Sequence, residues 1–304
     1  MKYIITGGAG FIGSHIAEYL APNHEVTIID DLFSGKIENL DNIQVTFLKG
    51  SITDFSFLKK AFEGADGIFH QAAITSVPRS VKDPLPSNEV NITGTLNVLL
   101  AAKEMNVRKV VLASSSSIYG DTPTLPKTES MSPRPLSPYG VSKLTGEQYS
   151  RVFSELYGLK TVALRYFNVF GPRQDPKSVY SAVIPKFITR IMNNESPIIF
   201  GDGEQTRDFT YVKDVVQANI RAMESEVQGV FNIAYCQQIS LNSLASLIME
   251  ITGNVVPIIY ESPRPGDIRD SLADIRCAQH KLNYKPDYTV KKGLKETISW
   301  YLKH

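Results

Sequence analysis

A doubly wound α/β fold, a parallel sheet with helices on both faces, is what this sequence predicts. Three observations predict it. Strand and helix patterns alternate through the first half; a glycine cluster follows the first strand; and after Arg165 the rhythm gives way to proline and glycine punctuation. Alternation of this kind yields a parallel sheet, because each crossover carries a helix back over one face. A smaller, mixed α/β region is expected on the C-terminal edge of that sheet.

Tyr3-Ile4-Ile5 reads as a short buried strand and Phe11 to Leu20 as an apolar-periodic helix. Val26 to Ile29 is the second strand, Val45 to Leu48 the third, Gly67 to His70 the fourth, Val110 to Ala113 the fifth and Val162 to Leu164 the sixth. A long helix over Val90 to Met105 and another carrying Tyr139 fill the later crossovers. Beyond Arg165, helices are expected near 181–193, 212–225, 241–252, 274–282 and 292–302, with short strands between them. The division predicted is 1–170 for a nucleotide-binding domain, to which roughly 210–235 returns, and 171–304 mainly for a substrate region. No linker, repeat or low-complexity tract separates the two, so they should fold as one unit.

Composition narrows the function. The chain has 304 residues, 42% hydrophobic and 21% charged, with a formal net charge of +1. That balance gives no reason to expect a nucleic acid or membrane partner, while leaving small anionic ligands open. Cys236 and Cys277 are too few for a disulfide framework and lack metal-ligand spacing, and the five histidines are scattered. No metal site is expected. The N-terminus passes straight into a strand, without a signal-peptide pattern, and no apolar stretch approaches the ~20 residues that span a bilayer. A cytoplasmic protein is the expectation.

Thr6-Gly7-Gly8-Ala9-Gly10-Phe11-Ile12-Gly13 lies between the first strand and its helix, satisfying both G-x-G-x-x-G and G-x-x-G-x-x-G. Glycines there permit a tight turn, close approach to a pyrophosphate and close helix–strand packing. The helix N-terminus adds N–H groups and partial positive charge. Asp30 and Asp31 end the second strand, 17 and 18 residues past Gly13. A carboxylate there accepts hydrogen bonds from ribose hydroxyls and repels a 2′-phosphate, and no arginine follows. NAD is therefore favoured over NADP.

Tyr139 and Lys143, in Tyr-Gly-Val-Ser-Lys, share one face of a helix and can act on one substrate atom. An ammonium beside a phenol favours the phenolate. Such a pair takes a proton from an alcohol while a hydride leaves its carbon. With 14 tyrosines, about one such spacing arises by chance, and Tyr288 with Lys292 repeats it.

With these motifs in hand, the chain resembles the extended short-chain dehydrogenase/reductase family, and within it the UDP-hexose 4-epimerases. Thr6 to Gly13, His70 to Ala73, Ser114 to Gly120, Tyr139 to Lys143, Arg165 to Pro172, Gly201 to Val212 and Arg264 to Asp267 all occur in family order. The resemblance implies a Rossmann-type fold, NAD as cofactor and a UDP-sugar as substrate. It makes Tyr139 the base, Lys143 the partner that lowers its pKa and binds the nicotinamide ribose, and Ser115 the hydrogen-bond partner of the reacting oxygen. Tyr288 falls outside the pattern. Cofactor contacts are implied for Gly7, Gly10, Phe11, Ile12, Gly13, Asp30, Asp31, Ser34, Gly35, Ser51, Ile52, Gln71, Ala72, Ala73, Asn91, Ser114 and Tyr166. One departure stands out: relatives usually have Gly-Asp after the third strand, where this chain has Gly50-Ser51, so adenine loses a charged partner.

The same resemblance bears on the reaction. The 4,6-dehydratases have an Asp-Glu pair where this chain has Ser116-Ser117, because elimination needs an acid and a base near C5 and C6. Decarboxylases of the family typically keep a glutamate at the position of Ser117. With serines instead, a 4-keto intermediate is only re-reduced, and turning over first yields the C4 epimer. Arg207 and Arg264 resemble the residues that hold the diphosphate, a task suited to a guanidinium fork. Asn168 resembles a phosphate contact, Asp267 a nucleoside-ribose contact, and Phe200 borders the uracil. Ser271 matches the position that limits the sugar pocket, where small residues accompany acceptance of 2-N-acetyl sugars. Ser76 and Arg79 complete the expected substrate contacts. The alternative is a UDP-glucuronate 4-epimerase, whose substrate needs a cation that Arg79 or Arg173 would supply. A net dehydrogenase or reductase and a non-catalytic nucleotide-binding regulator are further alternatives. Family members pair through the helices matching Pro86–Met105 and Tyr139–Tyr157, so a homodimer is expected.

Overall fold

A computed structural model describes residues 1–176, 183–263 and 268–303. The first half builds β1 (Lys2–Thr6), α1 (Phe11–Leu20), β2 (Glu25–Asp30), β3 (Thr46–Lys49), α2 (Phe55–Ala61), β4 (Gly67–His70), α3 (Val77–Lys82), α4 (Pro84–Asn88), α5 (Gly94–Glu104), β5 (Lys109–Ser115), α6 (Pro138–Tyr157) and β6 (Lys160–Tyr166). There follow β7 (Val169–Phe170), α7 (Val183–Met192), β8 (Ile198–Phe200), β9 (Thr206–Asp208), β10 (Thr210–Tyr211), α8 (Val212–Glu224), β11 (Gly229–Ile233), β12 (Gln238–Ser240), α9 (Leu241–Thr252), β13 (Ile259–Glu261), α10 (Arg276–Leu282) and α11 (Val290–Tyr301).

Among the described residues one seven-stranded sheet runs β11-β6-β5-β4-β1-β2-β3, every neighbouring pair parallel. All seven strands therefore end on the same edge. The order reverses between β1 and β4, and a crevice opens at such a switch point.

Side-chain alternation covers both faces. Tyr3 and Ile5 of β1 pack with Ile16 and Leu20 of α1 and Val215 and Ile220 of α8. Ile4 between them points the other way, into Leu58 of α2, Val98 and Leu99 of α5 and Phe153 of α6. Each such fully buried aliphatic side chain contributes about 1.5–3 kcal/mol. A third core joins Phe187 and Ile191 of α7, Leu244 and Ile248 of α9, and Leu294 and Ile298 of α11. It carries the C-terminal region, whose short strands pair β7 with β10, β8 with β13 and β9 with β12.

One expected element differs. The single helix read over Val90 to Met105 is α5 preceded by a widened helical turn at Glu89–Thr93, continuous with α4. Asn91 is buried in that turn and reaches across to the loop after β4. Periodicity alone does not reveal a turn widened by one residue.

Candidate active site

The glycine loop leaves no room for side chains. Gly7 has φ 71°, and a Cβ there would meet the Ala72 backbone nitrogen at 2.6 Å; one on Gly13 would run into the Gly7 carbonyl. Gly10 begins α1 without a side-chain cap. The result is a bare backbone cradle at a helix N-terminus, which fits a pyrophosphate. Phe11 and Ile12 are half-buried on the first turn of α1 and pack against the third core.

Beside the cradle, the Asp30 carboxylate accepts from Ala9 N–H at 3.0 Å and Leu32 N–H at 2.8 Å. Burial raises its pKa while these two bonds oppose the rise. Each oxygen keeps a lone pair for a ribose hydroxyl. Asp31 is exposed and accepts from Phe33 N–H at 3.0 Å. Exposed Ser34 leads to Gly35, where a Cβ would stand 2.8 Å from the Asp30 carboxylate. At the end of β3, Ser51 Oγ lies 2.9 Å from Thr53 Oγ1, and Ile52 is buried. No carboxylate stands at position 51, the departure read from sequence.

At the end of β5, Ser115 Oγ accepts from Ser117 N–H at 3.1 Å and is hydrogen-bonded to the Tyr139 phenol. Ser80 Oγ accepts from Tyr139 N–H at 3.1 Å and so pins the start of α6. Lys143 Nζ donates to the Ala113 carbonyl at 2.9 Å and lies 5.9 Å from the Tyr139 ring centroid. The three candidate catalytic side chains thus gather at the end of β5 and the first turns of α6.

Electrostatics correct one expectation. Burial pushes Tyr139 up to about 12, opposed by the Ser115 hydrogen bond, and burial brings Lys143 down to about 8. The resemblance makes Lys143 the group that lowers the phenol's pKa. In the protein alone it does not offset burial, because its ammonium is drawn to Ala113 and is itself desolvated. Tyr288 and Lys292 repeat the spacing and also meet, with Lys292 Nζ 3.8 Å from the Tyr288 ring centroid, but Tyr288 precedes the cap of α11 at Thr289 and packs on Tyr211 in the third core.

Behind the pocket, buried polar chains lock these elements. Thr95 Oγ1 donates to Asn91 O at 2.7 Å, so His70 Nε2–H donates to Thr95 Oγ1 at 2.9 Å. His70 Nδ1 then accepts from Thr6 Oγ1 at 2.7 Å. Burial, helped by the Lys143 charge, holds His70 down to about 3, and the ring stays neutral. Asn91 accepts from Ile74 N–H at 2.8 Å and donates to Ile74 O and to Ser142 Oγ, between Tyr139 and Lys143. Gln71, after β4, and Tyr166, ending β6, meet through Gln71 Nε2 and the Tyr166 hydroxyl at 3.2 Å, with Asn219 of α8 donating to that hydroxyl at 2.9 Å. Ala72 and Ala73 are half-buried beside them.

A second network supports Ser114. Its Oγ donates to Glu147 Oε1 at 2.5 Å, and Arg165 grips the same carboxylate with bonds of 2.9 and 2.7 Å. Arg165 also donates to the Tyr119 hydroxyl, which donates to Asn232. Ser80, Glu147, Asn219 and Asn232 escaped the sequence reading. Their one signal is a polar residue inside an apolar stretch, which says little until a partner is known.

On the substrate side, Arg207 Nη1 donates to the carbonyls of Thr206 and Arg269, which orients its guanidinium. Asp270 accepts from Thr206 Oγ1 at 2.5 Å, and Asp208 Oδ2 accepts from Ala273 N–H at 3.1 Å. Half-buried Ser271 thus follows Asp270, which is bridged to Thr206 at the start of β9. Asn168, at φ 34°, donates to Asp208 O at 3.1 Å, and Phe200 ends β8 with its carbonyl taken by Gln205. Ser76 Oγ caps α3 by accepting from Arg79 N–H, and the Arg79 guanidinium lies over Phe33. Arg264 and Asp267 fall outside the described residues. Arg173, a candidate cation for a sugar carboxylate, is paired with Glu18 of α1 at 3.0 Å. Ser117 Oγ is buried with no hydrogen-bond partner among the described residues.

Comparison with known proteins gives consistent results. A family model described as NAD dependent epimerase/dehydratase matches residues 3–234. The structure of a UDP-N-acetylglucosamine 4-epimerase from Methanobrevibacter ruminantium, in complex with UDP-N-acetylmuramic acid, is 46% identical with a TM-score of 0.97, covering 99% of this chain and 98% of that one. A UDP-glucose 4-epimerase from Thermotoga maritima, with UDP-glucose, is 40% identical with a TM-score of 0.96, covering 100% and 99%. A putative UDP-glucose 4-epimerase of Methanocaldococcus jannaschii is 40% identical over 300 residues, 98% of this chain and 97% of its own length.

Proposed function

This chain belongs to the NAD-dependent epimerase/dehydratase family, and from that premise we propose that it is an NAD-dependent UDP-sugar 4-epimerase acting on UDP-GlcNAc/UDP-GalNAc and UDP-Glc/UDP-Gal. The observation that carries this reading is Ser116-Ser117 beside the hydrogen-bonded Ser115–Tyr139 pair. An alcohol-oxidising centre stands next to hydroxyls, with no acid there to divert a ketone.

Residues 1–170 would hold NAD, with Gly7, Gly10, Phe11, Ile12 and Gly13 available to its pyrophosphate and Asp30 to its adenosine ribose. When bound, NAD⁺ would accept the hydride from C4, give it back to the opposite face of the same carbon, and place a positive charge beside the phenol. Tyr139 takes the proton of the 4-hydroxyl, Ser115 holds that oxygen, and Lys143 orients the nicotinamide ribose. Residues 171–304 mainly hold the UDP-sugar. Asn168, Phe200, Arg207, Arg264 and Asp267 grip the nucleotide, so the 4-keto hexose turns about the diphosphate and presents its other face. Tyr139 then returns the proton. Ser117 Oγ is a polar partner for a sugar hydroxyl, and Ser271 leaves space for an N-acetyl group.

The glucuronate reading is weaker, since Arg173 is committed to Glu18 and Arg79 to Phe33. The experiment is to incubate purified protein separately with UDP-Glc, UDP-GlcNAc and UDP-GlcA and identify the products. C4 epimers of the first two are expected. A decarboxylated or dehydrated product, or steady release of NADH, would overturn the assignment. Ser271→Tyr should lose UDP-GlcNAc turnover and keep that of UDP-Glc; equal loss of both would remove Ser271 from the role.

A further inference from the structure

Phe33 contributes little to any core. Its side chain is 60% exposed, on a turn where Leu32 is held at φ 62°, a conformation costly for leucine. The turn is nevertheless well anchored. Asp30 and Asp31 accept from the N–H groups of Leu32 and Phe33, and farther along Lys36 N–H and Asn39 Nδ2 both donate to Ala9 O, at 3.0 and 2.8 Å. The root of this loop is thus tied to the glycine loop itself.

A second anchored element faces it. Ser76 caps α3 through Arg79 N–H, and Ser80 ties the helix to Tyr139. From this helix the Arg79 guanidinium carbon stands 5.1 Å from the Phe33 ring centroid, a cation–π contact. The loop after β2 and the helix after β4 come from the strands on either side of β1. Their contact therefore spans the mouth of the dinucleotide cradle that follows β1.

We propose that Phe33 and Arg79 form a clasp across this cradle that slows the exchange of bound NAD. Both roots are anchored by hydrogen bonds while the contact itself is solvent-exposed, so the clasp opens without disturbing the fold. The chemistry gives it a purpose. Epimerisation is redox-neutral: the hydride removed from C4 must return to C4, and a cofactor that leaves in its reduced form strands a 4-ketone. Retention matters more in this chain because Ser51 stands where a carboxylate would hold adenine, and its hydroxyl is already paired with Thr53. The proposal rests on NAD as cofactor and not on the identity of the sugar.

The test follows displacement of NAD⁺ from the holoenzyme by excess fluorescent etheno-NAD⁺, with no sugar present. Phe33→Ala and Arg79→Ala should each speed exchange by about two- to fivefold, the scale of an exposed cation–π contact. The double variant should be no faster than either single one, because either removal opens the clasp. Wild-type exchange in either single variant would overturn the proposal. So would multiplied effects in the double variant, which would mark two independent contacts. Unchanged melting curves show that the fold is intact, and the assay reads the clasp even if the sugar assignment fails.

Discussion

Tyr139 is 8% exposed, and burial alone holds its phenol up near 12, protonated in the protein by itself. A base at this position therefore needs positive charge beyond the protein's own, which a bound oxidised nicotinamide would supply. Tyr139→Phe should lower kcat by about 10²–10⁴-fold, the usual range for a lost acid–base group, while NAD content and UDP affinity stay at wild-type levels. Substantial residual turnover would sink the assignment. At this scale Ser115, Tyr139, Lys143 and Asp30 were legible because each sits in a motif with a fixed place relative to a strand end. Ser80 and Asn219 were not, since a hydroxyl or amide in an apolar stretch has no meaning until its partner is known.

Helix α6 shows why the catalytic pair is well directed. Glu147 lies one turn beyond Lys143, and both members of its ion pair with Arg165 are buried, at 3% and 4% exposure. With Ser114 as a third partner, the pair sets the rotation of α6 against the ends of β5 and β6. Removing one charge leaves the other buried and unmatched, which typically costs about 3–5 kcal/mol. Glu147→Gln should therefore lower stability in chemical denaturation by an amount of that order, and Glu147→Leu with Arg165→Met by less. Equal losses would show that the pair's charge is not what matters. The element scale also settles the duplicate motif: Tyr288 and Lys292 share the spacing, but Thr289 starts the helix between them. The two still touch, so what separates them from Tyr139 and Lys143 is their surroundings: Tyr211 and the third core instead of Ser115 at a strand end.

Across the whole molecule, a stripe of exposed apolar side chains runs over α3, α4 and α6. Val81 is 63% exposed, Leu85 76%, Val141 46% and Leu156 70%. Of these, α4 and α6 belong to the helices over 86–105 and 139–157 through which we propose that two copies pair, and α3 flanks them. Sedimentation at micromolar concentration should give a dimer mass, and Val141→Glu with Leu156→Glu should give a monomer that retains NAD. A wild-type monomer would end this proposal. Among the described residues no helix is long and apolar enough to cross a membrane.

The sequence by itself determined the strand order's raw material, the glycine cradle, the preference for NAD and the Ser115–Tyr139–Lys143 group. The glycine cradle, Asp30 and the Tyr139–Lys143 pair follow from spacing along the chain, whereas Ser115 came from the resemblance to the family. Only the tertiary structure decided that Arg173 belongs to Glu18 and Arg79 to Phe33, that His70 is a neutral link between Thr6 and Thr95, and that burial outweighs the Ser115 hydrogen bond at the phenol. Those outcomes depend on which distant residues meet and how much water is excluded where they do. Neither quantity is written in the spacing of a chain; both arise when seven strands bring their ends to one edge.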